Sequence, residues 1–408
     1  MAAPMVRHPG ELRWETRLLA VVVLTLLVFG VATVYGAAGL QTRGAGLNVA
    51  LSQLSGALLG GALLVAIARV DYRVWQRLAW PVLLVTIVLL IIPLLPFTYS
   101  IAPIINGARR WVQIGPLRLQ PSELARLAVV IWCAMLAARK GDAVRGFKKG
   151  VLPFLVGMGA LSGLIVLEPN MSMATLVALC GAMVLFSAGA KLGHFMLLGL
   201  GAMLLAVQAV IMAPYRMKRV LAFIDPDKVG ADAHHQINES IIGVGAGRFL
   251  GVGFGEGQQK FHLPYAYSDF LFSTIAEEWG FVGVCLVVLL FSLFCWLGFR
   301  IARTAADTFG QYLAVGLTSA VGLTAFLHMA VSLGLMPTTG LTLPFMSYGR
   351  TSLVISLVGA GILINIGRMR GKPAPQKSVN GERSTVNGPS SAVPGHRSPF
   401  TVYAVEVL

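Results

Sequence analysis

The stretch LLAVVVLTLLVFGVATVY, residues 18–35, is an apolar run without a charged side chain. A helix of about 20 apolar residues spans the roughly 30 Å hydrocarbon core of a membrane, so this run has the length of a transmembrane helix. It is longer than the apolar part of a cleavable signal peptide, and it lacks a small-residue cleavage site. We therefore interpret it as the first membrane span of the protein.

Comparable apolar runs recur along the chain of 408 residues, of which 56% are hydrophobic and 12% are charged. Soluble globular proteins carry about 25% charged residues, so this composition is typical of a membrane protein. We predict spans near residues 17–38, 48–69, 75–96, 120–138, 151–168, 171–190, 193–213, 269–299, 310–335 and 345–367. The sequence therefore predicts an all-α polytopic membrane protein, a bundle of about ten transmembrane helices.

Basic residues in the short connections indicate how the bundle is oriented. Arg and Lys residues gather before the first span, between the second and third, and after the fourth, eighth and tenth. Because short cytoplasmic loops are enriched in these residues, an even number of spans places both chain termini in the cytoplasm. The formal net charge of +15 therefore reflects orientation rather than binding to nucleic acid.

Three parts of the chain differ in composition. Residues 1–16 form a cytoplasmic N-terminal segment, and residues 17–368 form the membrane domain. Within that domain, a long extracytoplasmic loop, about 214–268, separates helices 7 and 8. Residues 369–408 are rich in Pro, Ser and Gly and cannot bury an apolar core, so we predict a disordered cytoplasmic tail.

The long loop contains a glycine-rich run, GVGAGRFLGVGFGEGQQ, residues 243–259. Its glycines do not complete the dinucleotide-binding pattern GxGxxG, and no phosphate-binding GKS or GKT follows them. We therefore interpret them as turns and as points of close contact with helices, where a side chain would not fit.

Two motifs place charged residues at the predicted outer side. Arg109 and Arg110, in NGARRWVQIG, carry forked donors that suit phosphate oxygens, and contact with lipid headgroups is the alternative. At the start of the fourth span, QPSELAR places Glu123 and Arg126 three residues apart, on one helix face. These two residues form either a structural ion pair or part of the polar lining of a cavity.

The segment YSDFLFSTIAEEWGFVG introduces acids where a helix enters the membrane. Asp269 lies at its start, where the helix dipole favours an acid, but Ser268 is the better capping residue. A carboxylate at the rim of an apolar cavity has a raised pKa and can act as a general base. Glu277 and Glu278 lie further along, and we predict Arg or His partners for them inside the bundle, with His328 as one candidate.

Six segments resemble motifs of the SEDS family, the shape, elongation, division and sporulation proteins, and occur in the family's order: NGARRWVQIG, QPSELAR, LEP, GVGFGEGQQKFHLP, YSDFLFSTIAEEWGFVG and GLMPTTGLTLPFMSYG. They extend over roughly residues 15–370. The resemblance implies a ten-helix membrane bundle with cytoplasmic termini. It also implies an enzyme that polymerises lipid II into glycan strands on the outer face of the cytoplasmic membrane.

The resemblance also implies roles for individual residues. The essential acid of the family corresponds to Asp269 in SDFLF. The polar positions expected to bind substrate are Arg109, Arg110, Glu123, Arg126, Gln258 and Lys260. The basic members of this set suit the diphosphate that leaves during glycosyl transfer. The resemblance leaves open a divalent cation, Mg²⁺ or Mn²⁺, and the sequence contains no dedicated set of metal ligands.

The motif PTTGLTLPF and the long polar tail are more similar to the division branch, which is FtsW-like, than to the RodA-like elongation branch. This similarity implies cell-wall synthesis at the division septum, in the inner membrane. The implied partners are lipid II, a class B penicillin-binding protein that acts as transpeptidase, other division proteins and membrane lipids, with no nucleic acid. Several positions depart from the family pattern. Asn170 stands where Asp is usual, Ser172 and Arg350 where Gly is usual, Arg126 where Lys is common, and Tyr265 and Tyr267 where Glu and His are frequent.

Three alternative functions fit parts of the sequence. A lipid II flippase would spread ionisable residues along a path through the bilayer, whereas the polar motifs here gather at the outer rim. A RodA-like polymerase would build the wall during cell elongation. A non-catalytic scaffold of the division machinery would tolerate the loss of Asp269.

Overall fold

The computed structural model describes residues 14–39, 46–105, 107–115, 117–212, 214–225 and 231–370. The predicted disordered tail lies almost entirely outside these residues, as does most of the predicted N-terminal segment. The helices are α1 (Trp14–Gly39), α2 (Gly46–Ile67), α3 (Arg73–Ile91), α4 (Pro121–Lys140), α5 (Leu152–Leu167), α6 (Met171–Ser187), α7 (Leu192–Ile211), α8 (Pro214–Ile224), α9 (Ala231–Ala246), α10 (Leu271–Arg303), α11 (Thr308–Ser332) and α12 (Arg350–Arg368). A small antiparallel hairpin, β1 (Val112–Ile114) and β2 (Leu117–Leu119), precedes α4.

Ten of the helices coincide with the ten predicted spans. Among the described residues, eight are long and apolar enough to cross a membrane: α1 to α5 and α10 to α12. Of the other two, α6 has 17 residues and α7 has 20. The prediction of an all-α polytopic membrane protein is confirmed. The long segment 214–268 was predicted as a loop, but it contains α8 and α9.

Burial divides the helices into central and peripheral ones. The helices α4 and α12 are buried along most of their length, whereas α1, α2 and α3 expose apolar side chains such as Val28, Leu58 and Val88. Exposed apolar side chains on a membrane-spanning helix face lipid, because lipid tails are as apolar as leucine. The helices α4 and α12 therefore form the interior of the bundle.

Small residues allow α2 and α12 to approach each other closely. A Cβ at Gly60 would lie 2.5 Å from a side-chain carbon of Leu357, and a Cβ at Gly361 would lie 2.9 Å from the carbonyl oxygen of Leu64. Helices in membranes associate through such close van der Waals contacts, because no hydrophobic effect drives them together. Arg350, where the family usually has Gly, lies against Gly56 at the beginning of the same contact.

The helix α10 is broken at Gly280, whose φ of +62° is left-handed. The break frees backbone groups that a regular helix would pair internally. The Phe281 amide donates to the carbonyl of Arg248 at 2.9 Å, and the Val252 amide donates to the carbonyl of Glu277 at 3.0 Å. The segment before α10 is thus hydrogen-bonded into the helix itself.

Glycines make this insertion possible. A Cβ at Gly247 would lie 1.8 Å from the carbonyl oxygen of Ala276, and one at Gly251 would lie 2.1 Å from that of Glu278. Real Cβ atoms do not approach a carbonyl oxygen so closely, so both positions require glycine. The interpretation of the glycine-rich run as a place of close helix contact is confirmed at these two residues.

Candidate active site

Asp269 lies in the connection just before α10, and its carboxylate is half-buried. The Ser268 hydroxyl donates to Oδ1 at 2.9 Å. On the other side, a Cβ at Gly340 would lie 3.7 Å from Oδ2, and Gly340 has a φ of +69°. Glycine at this position therefore meets two requirements: it allows the left-handed turn, and it leaves the space beside Oδ2 open.

The connection between α11 and α12, residues 333–349, holds the Asp269 segment in place. The Ser347 hydroxyl donates to the carbonyl of Ser268 at 2.8 Å and accepts from the Leu343 amide at 2.9 Å. The Tyr348 amide donates to the carbonyl of Tyr267 at 3.0 Å. Two segments that are distant in sequence therefore fix the backbone on which Asp269 stands.

Burial and neighbouring charge act in opposite directions on Asp269. Burial raises the pKa of its carboxyl above the usual range, and the Ser268 hydrogen bond and the positive charge of Arg219 partly offset this rise. Arg219 is an exposed residue of α8 that donates to the carbonyl of Thr338 at 3.4 Å. A carboxylate with a raised pKa is a better general base near neutral pH.

Arg219 was not among the predicted site residues. The sequence feature that indicates Arg219 is the basic segment PYRMKR at the beginning of α8, which lies within the predicted long loop. The structure brings its guanidinium charge close enough to influence Asp269.

His328 does not pair with Glu277 or Glu278, so this prediction is wrong. Its Nδ1 hydrogen-bonds the carbonyl of Leu341 at 2.7 Å, and its Nε2 accepts from the Phe272 amide at 3.5 Å. A carbonyl can only accept, so Nδ1 carries the proton and Nε2 is free to accept. His328 therefore connects the α11–α12 connection to the first turn of α10.

Glu123 and Arg126 form a buried ion pair of 3.0 Å at the start of α4. The Arg126 guanidinium also donates to the hydroxyls of Thr324 at 3.0 Å and Ser356 at 3.2 Å. Thr324 and His328 are four residues apart on α11, a rise of about 6 Å. Arg126 therefore contacts α11 at Thr324, one turn away from His328, which holds the connection beside Asp269. The predicted ion pair is present, and its role in substrate binding stays a prediction.

Arg110 lies beside the short turn between α5 and α6. Its Nε donates to the carbonyl of Glu168 at 3.0 Å, and its Nη2 donates to the carbonyl of Pro169. In the same turn, the Asn170 amide donates to the Ser122 hydroxyl at 3.4 Å, and its Oδ1 caps α6. The amide that stands in place of the family's usual Asp thus keeps a capping function. Arg110, α4 and this turn form one cluster.

Glu168, in the motif LEP, is a buried acid in this cluster and was not among the predicted site residues. Its side chain is 1% exposed, and both carboxyl oxygens lack a hydrogen-bond partner among the described residues. Burial raises the pKa of Glu168 to about 8, although the charge of Arg110 opposes the rise. The carboxyl is therefore mostly protonated at neutral pH and can donate a hydrogen bond.

Arg109 is occupied by its own loop. Its three guanidinium nitrogens donate to the carbonyls of Ala102 and Leu95, both at 2.9 Å, and to the Thr98 hydroxyl at 2.7 Å. The guanidinium also lies over the Tyr99 ring, 4.2 Å from its centroid. These contacts explain why an Arg stands on the predicted outer side: it folds the loop before β1.

Lys260 and Gln258 lie beside the broken part of α10. The Lys260 ammonium is fully buried, pairs with Glu278 at 3.1 Å and donates to the carbonyl of Gly36 at 3.1 Å. The backbone amide of Gln258 donates to Glu277 at 2.7 Å, whereas its exposed side chain donates to the carbonyl of Glu256 at 3.3 Å. An enclosed ammonium has no open side toward a diphosphate, so the predicted substrate contact of Lys260 does not fit this structure. The Lys260 side chain instead pairs with Glu278, and the backbone amides of Gln258 and Gln259 satisfy Glu277. The predicted substrate contact of the Gln258 side chain stays a prediction.

No group of three or more His, Cys, Asp or Glu side chains gathers within the described part of the chain. Asp269 supplies a single carboxylate at the site. One carboxylate is compatible with Mg²⁺, which proteins often hold through one or two acids together with substrate phosphates. The divalent cation stays a prediction.

A family model described as cell cycle protein, covering FtsW, RodA and SpoVE, matches residues 16–372. The chain belongs to this family, the SEDS family. A relative of this SEDS member in Trichlorobacter lovleyi, named probable peptidoglycan glycosyltransferase FtsW, is 38% identical over 89% of this chain and 95% of its own length. The stage V sporulation protein E of Bacillus subtilis is 34% identical over 86% of this chain and 96% of its own length.

Solved structures agree with the assignment to the SEDS family. One similar structure is a chain from a peptidoglycan synthase complex that coordinates polymerization and crosslinking. Its TM-score is 0.72 at 29% sequence identity, and the match covers 87% of this chain and 98% of that chain. The rod shape determining protein RodA of Thermus thermophilus has a TM-score of 0.64 and 25% identity, over 90% and 99% of the two chains. The FtsW-named relative above is thus more similar in sequence than RodA.

Proposed function

We propose that this SEDS protein is a peptidoglycan glycosyltransferase of the FtsW type, which polymerises lipid II on the outer face of the cytoplasmic membrane. The observation that carries this proposal is Asp269, a half-buried carboxylate with a raised pKa, held at the end of the bundle by Ser268 and Ser347. The names of the FtsW relatives support the same activity.

The chemistry is a single displacement at a sugar. The Asp269 carboxylate accepts the proton of the acceptor's GlcNAc 4-hydroxyl while that oxygen attacks the anomeric carbon of the donor's MurNAc. The bond from this carbon to the lipid diphosphate breaks, and the diphosphate leaves with the electron pair. One displacement inverts the configuration and needs no covalent intermediate. General base catalysis of this kind contributes about 10²–10⁴-fold.

The diphosphate accumulates negative charge as it leaves, so a cation close to Asp269 would stabilise the transition state. Arg219 meets this requirement better than Arg109 or Lys260, because its side chain is exposed and its charge acts on Asp269. Arg126 lies one turn of α11 away but is paired with Glu123. A bound Mg²⁺ or Mn²⁺ would add further positive charge at the diphosphate.

The partners belong to the same proposal. A class B penicillin-binding protein would cross-link the strands as they emerge, since the similar solved complex couples polymerization with crosslinking. We place this protein at the division septum with other division proteins because its relatives carry the name FtsW. Lipid II and membrane lipids complete the set.

The test is glycan polymerisation from lipid II by the purified full chain, with its transpeptidase present but blocked by penicillin. Asp269→Asn removes the base while keeping the size of the side chain. Glu256→Gln is the matched control, because Glu256 is an exposed acid in the connection before α10. We expect Asp269→Asn to lose 10²-fold or more of the rate, and the control to retain it.

The outcomes separate the alternatives. Strands made equally well by both variants would show that Asp269 is not the base. If the native chain makes no strands but moves lipid II across proteoliposome membranes, the protein is a flippase. Thermal unfolding of all three proteins establishes that they are folded.

A further inference from the structure

A cavity of about 590 Å³ opens at the end of the bundle where α1 begins and α2 and α12 end. Its volume lies within the 300–1,000 Å³ typical of small-molecule sites. Three arginines line it, Arg17, Arg69 and Arg368, and no acidic side chain lines it among the residues that the structure describes. This cavity lies at the opposite end of α10 from Asp269, near residues 300–303 rather than residue 271.

Three acids near the cavity among the described residues are already paired with arginines outside its lining. Glu15 is bound by Arg300 and Arg370. Asp307 accepts from Arg73 at 2.9 Å, and Asp71 lies 3.7 Å from the same Arg73. Neither Arg17 nor Arg69 has an acidic partner among the described residues. Within the described residues, no acid neutralises the positive charge of Arg17 and Arg69.

The wall of the cavity is held rigidly. The Asn365 side chain donates to the carbonyl of Ala68 at 3.0 Å and accepts from the Tyr72 amide at 2.9 Å. Arg368 donates to the same carbonyl of Ala68 at 3.4 Å. These bonds fix the end of α2, and with it the backbone of Arg69, against α12. Rigid placement of the cationic groups reduces the ordering cost of binding an anion.

Apolar surface continues from the arginines toward the lipid. Val21 is 56% exposed and lies four residues after Arg17, and Val65 is 49% exposed and lies four residues before Arg69. Residues four apart on a helix share a face, so Arg17 stands at the end of an exposed apolar face of α1. Val65 lies near the end of α2, and Arg69 lies two residues after that helix ends. Exposed apolar surface on α1 and α2 beside a cluster of guanidinium groups matches a phosphate group that carries two acyl chains.

We propose that this cavity binds the phosphodiester headgroup of an anionic membrane phospholipid, with its acyl chains lying along α1 and α2. Guanidinium groups bind phosphate oxygens through paired donors. Basic pockets between transmembrane helices are known to accept anionic headgroups at the cytoplasmic side, which is the side predicted for this end of the bundle. The proposal does not depend on glycosyltransferase activity.

The experiment measures binding of phosphatidylglycerol to the purified full chain in a neutral detergent by native mass spectrometry. Phosphatidylcholine and inorganic phosphate are the comparison ligands. The test variant combines Arg17→Gln, Arg69→Gln and Arg368→Gln. The matched control combines Arg139→Gln, Arg145→Gln and Arg303→Gln, three exposed arginines on the same predicted side that do not line the cavity.

We expect the native chain and the control to retain phosphatidylglycerol over phosphatidylcholine. The test variant should lose roughly tenfold to a hundredfold in affinity, since each basic residue near an anionic lipid contributes about a factor of five. Arg17→Gln alone, an exposed substitution, should show part of the loss if the triple variant does not fold. Equal losses in test and control variants would overturn the proposal. Binding of inorganic phosphate as strong as that of the lipid would also overturn it.

Discussion

Single residues of this protein show how burial alters an acid. Glu168 has a pKa of about 8 in the folded chain, above its ordinary value of 4.5, because burial disfavours the charged form. The folded state therefore keeps a proton that the unfolded chain releases. The free energy of unfolding that depends on Glu168 is therefore highest below about pH 4.5, and it decreases as the pH rises from 4.5 toward 8. At pH 7 the free energy of unfolding is about 3 kcal/mol lower than at acidic pH, where Glu168 is protonated in both the folded and the unfolded chain.

Glu168→Gln removes this pH-dependent loss of stability, because an amide is neutral at every pH. We expect the variant to unfold at a higher temperature than the native protein at pH 7.5, and at a similar temperature near pH 4.5. Thermal unfolding in detergent across this pH range measures the effect. Glu256→Gln, an exposed acid, should change neither curve. A constant gain at all pH values would show that charge is not the cause.

The buried pair of Lys260 and Glu278 gives a second prediction at this scale. Lys260→Met leaves a buried carboxylate without its partner and should destabilise the protein by about 3–5 kcal/mol. Adding Glu278→Met removes that charge and should restore most of the stability, less the bonds lost to Gly36 and Gly255.

Polymerisation by the same variants decides between two roles of Lys260. If Lys260 is structural, the stable double variant should polymerise lipid II at close to the native rate. A double variant that is stable but inactive would show that the ammonium acts on the substrate.

The sequence identified the charged residues of the site better than it identified their partners. Asp269 could be found because it stands at the start of an apolar span without being needed as a cap. Arg109 and Lys260 have the charge expected of diphosphate ligands, but Lys260 meets Gly36, 224 residues away in the chain. A local pattern cannot reveal such a contact. It also cannot show that the folded chain buries Glu168, and this acid was therefore missed.

At the scale of elements, the broken helix α10 depends on Gly280. The sequence predicted one continuous span, since an isolated glycine is tolerated within a helical pattern. The break exists because the backbone of Gly251 occupies the space that a side chain at position 280 would need. A Cβ there would lie 2.3 Å from the Gly251 amide nitrogen.

Gly280→Ala should therefore destabilise the protein strongly, because it forces a left-handed φ on alanine and a clash with backbone. Gly245→Ala is the matched control in α9, where a Cβ meets no atom within 4 Å. Alanine in a helix is about 1 kcal/mol more favourable than glycine, so the control should be neutral or stabilising. Thermal unfolding of both variants checks the prediction. Equal stability of the two would contradict the proposed packing.

The elements between α7 and α10 were the hardest to predict. Both α8 and α9 are too polar or too short to resemble membrane spans, so hydropathy gave no signal for them. The hairpin β1–β2 is only three residues per strand, below the length at which alternation can be recognised. By contrast, the ten apolar helices follow directly from the length of the apolar runs.

At the scale of the whole molecule, the orientation predicted from Arg and Lys can be measured. In a variant without its four cysteines, single cysteines at Arg145 and Glu256 report on opposite ends of the bundle. We expect a membrane-impermeant maleimide to label Glu256→Cys in intact spheroplasts, and Arg145→Cys only after permeabilisation. Both positions are exposed, so access to reagent is determined by the membrane alone. The reverse labelling pattern would invert the proposed topology.

The hydroxyl of Ser347, which holds the backbone beside Asp269, has a consequence for biogenesis. Ser347 is synthesised 78 residues after Asp269, and its connection is anchored by the last helix, α12. A nascent chain that stalls on the ribosome before α12 reaches the translocon carries the acid without its support. The supported geometry of Asp269, the proposed base, therefore arises only after α12 has been synthesised and inserted, and a truncated product carries the acid without the backbone hydrogen bond from Ser347.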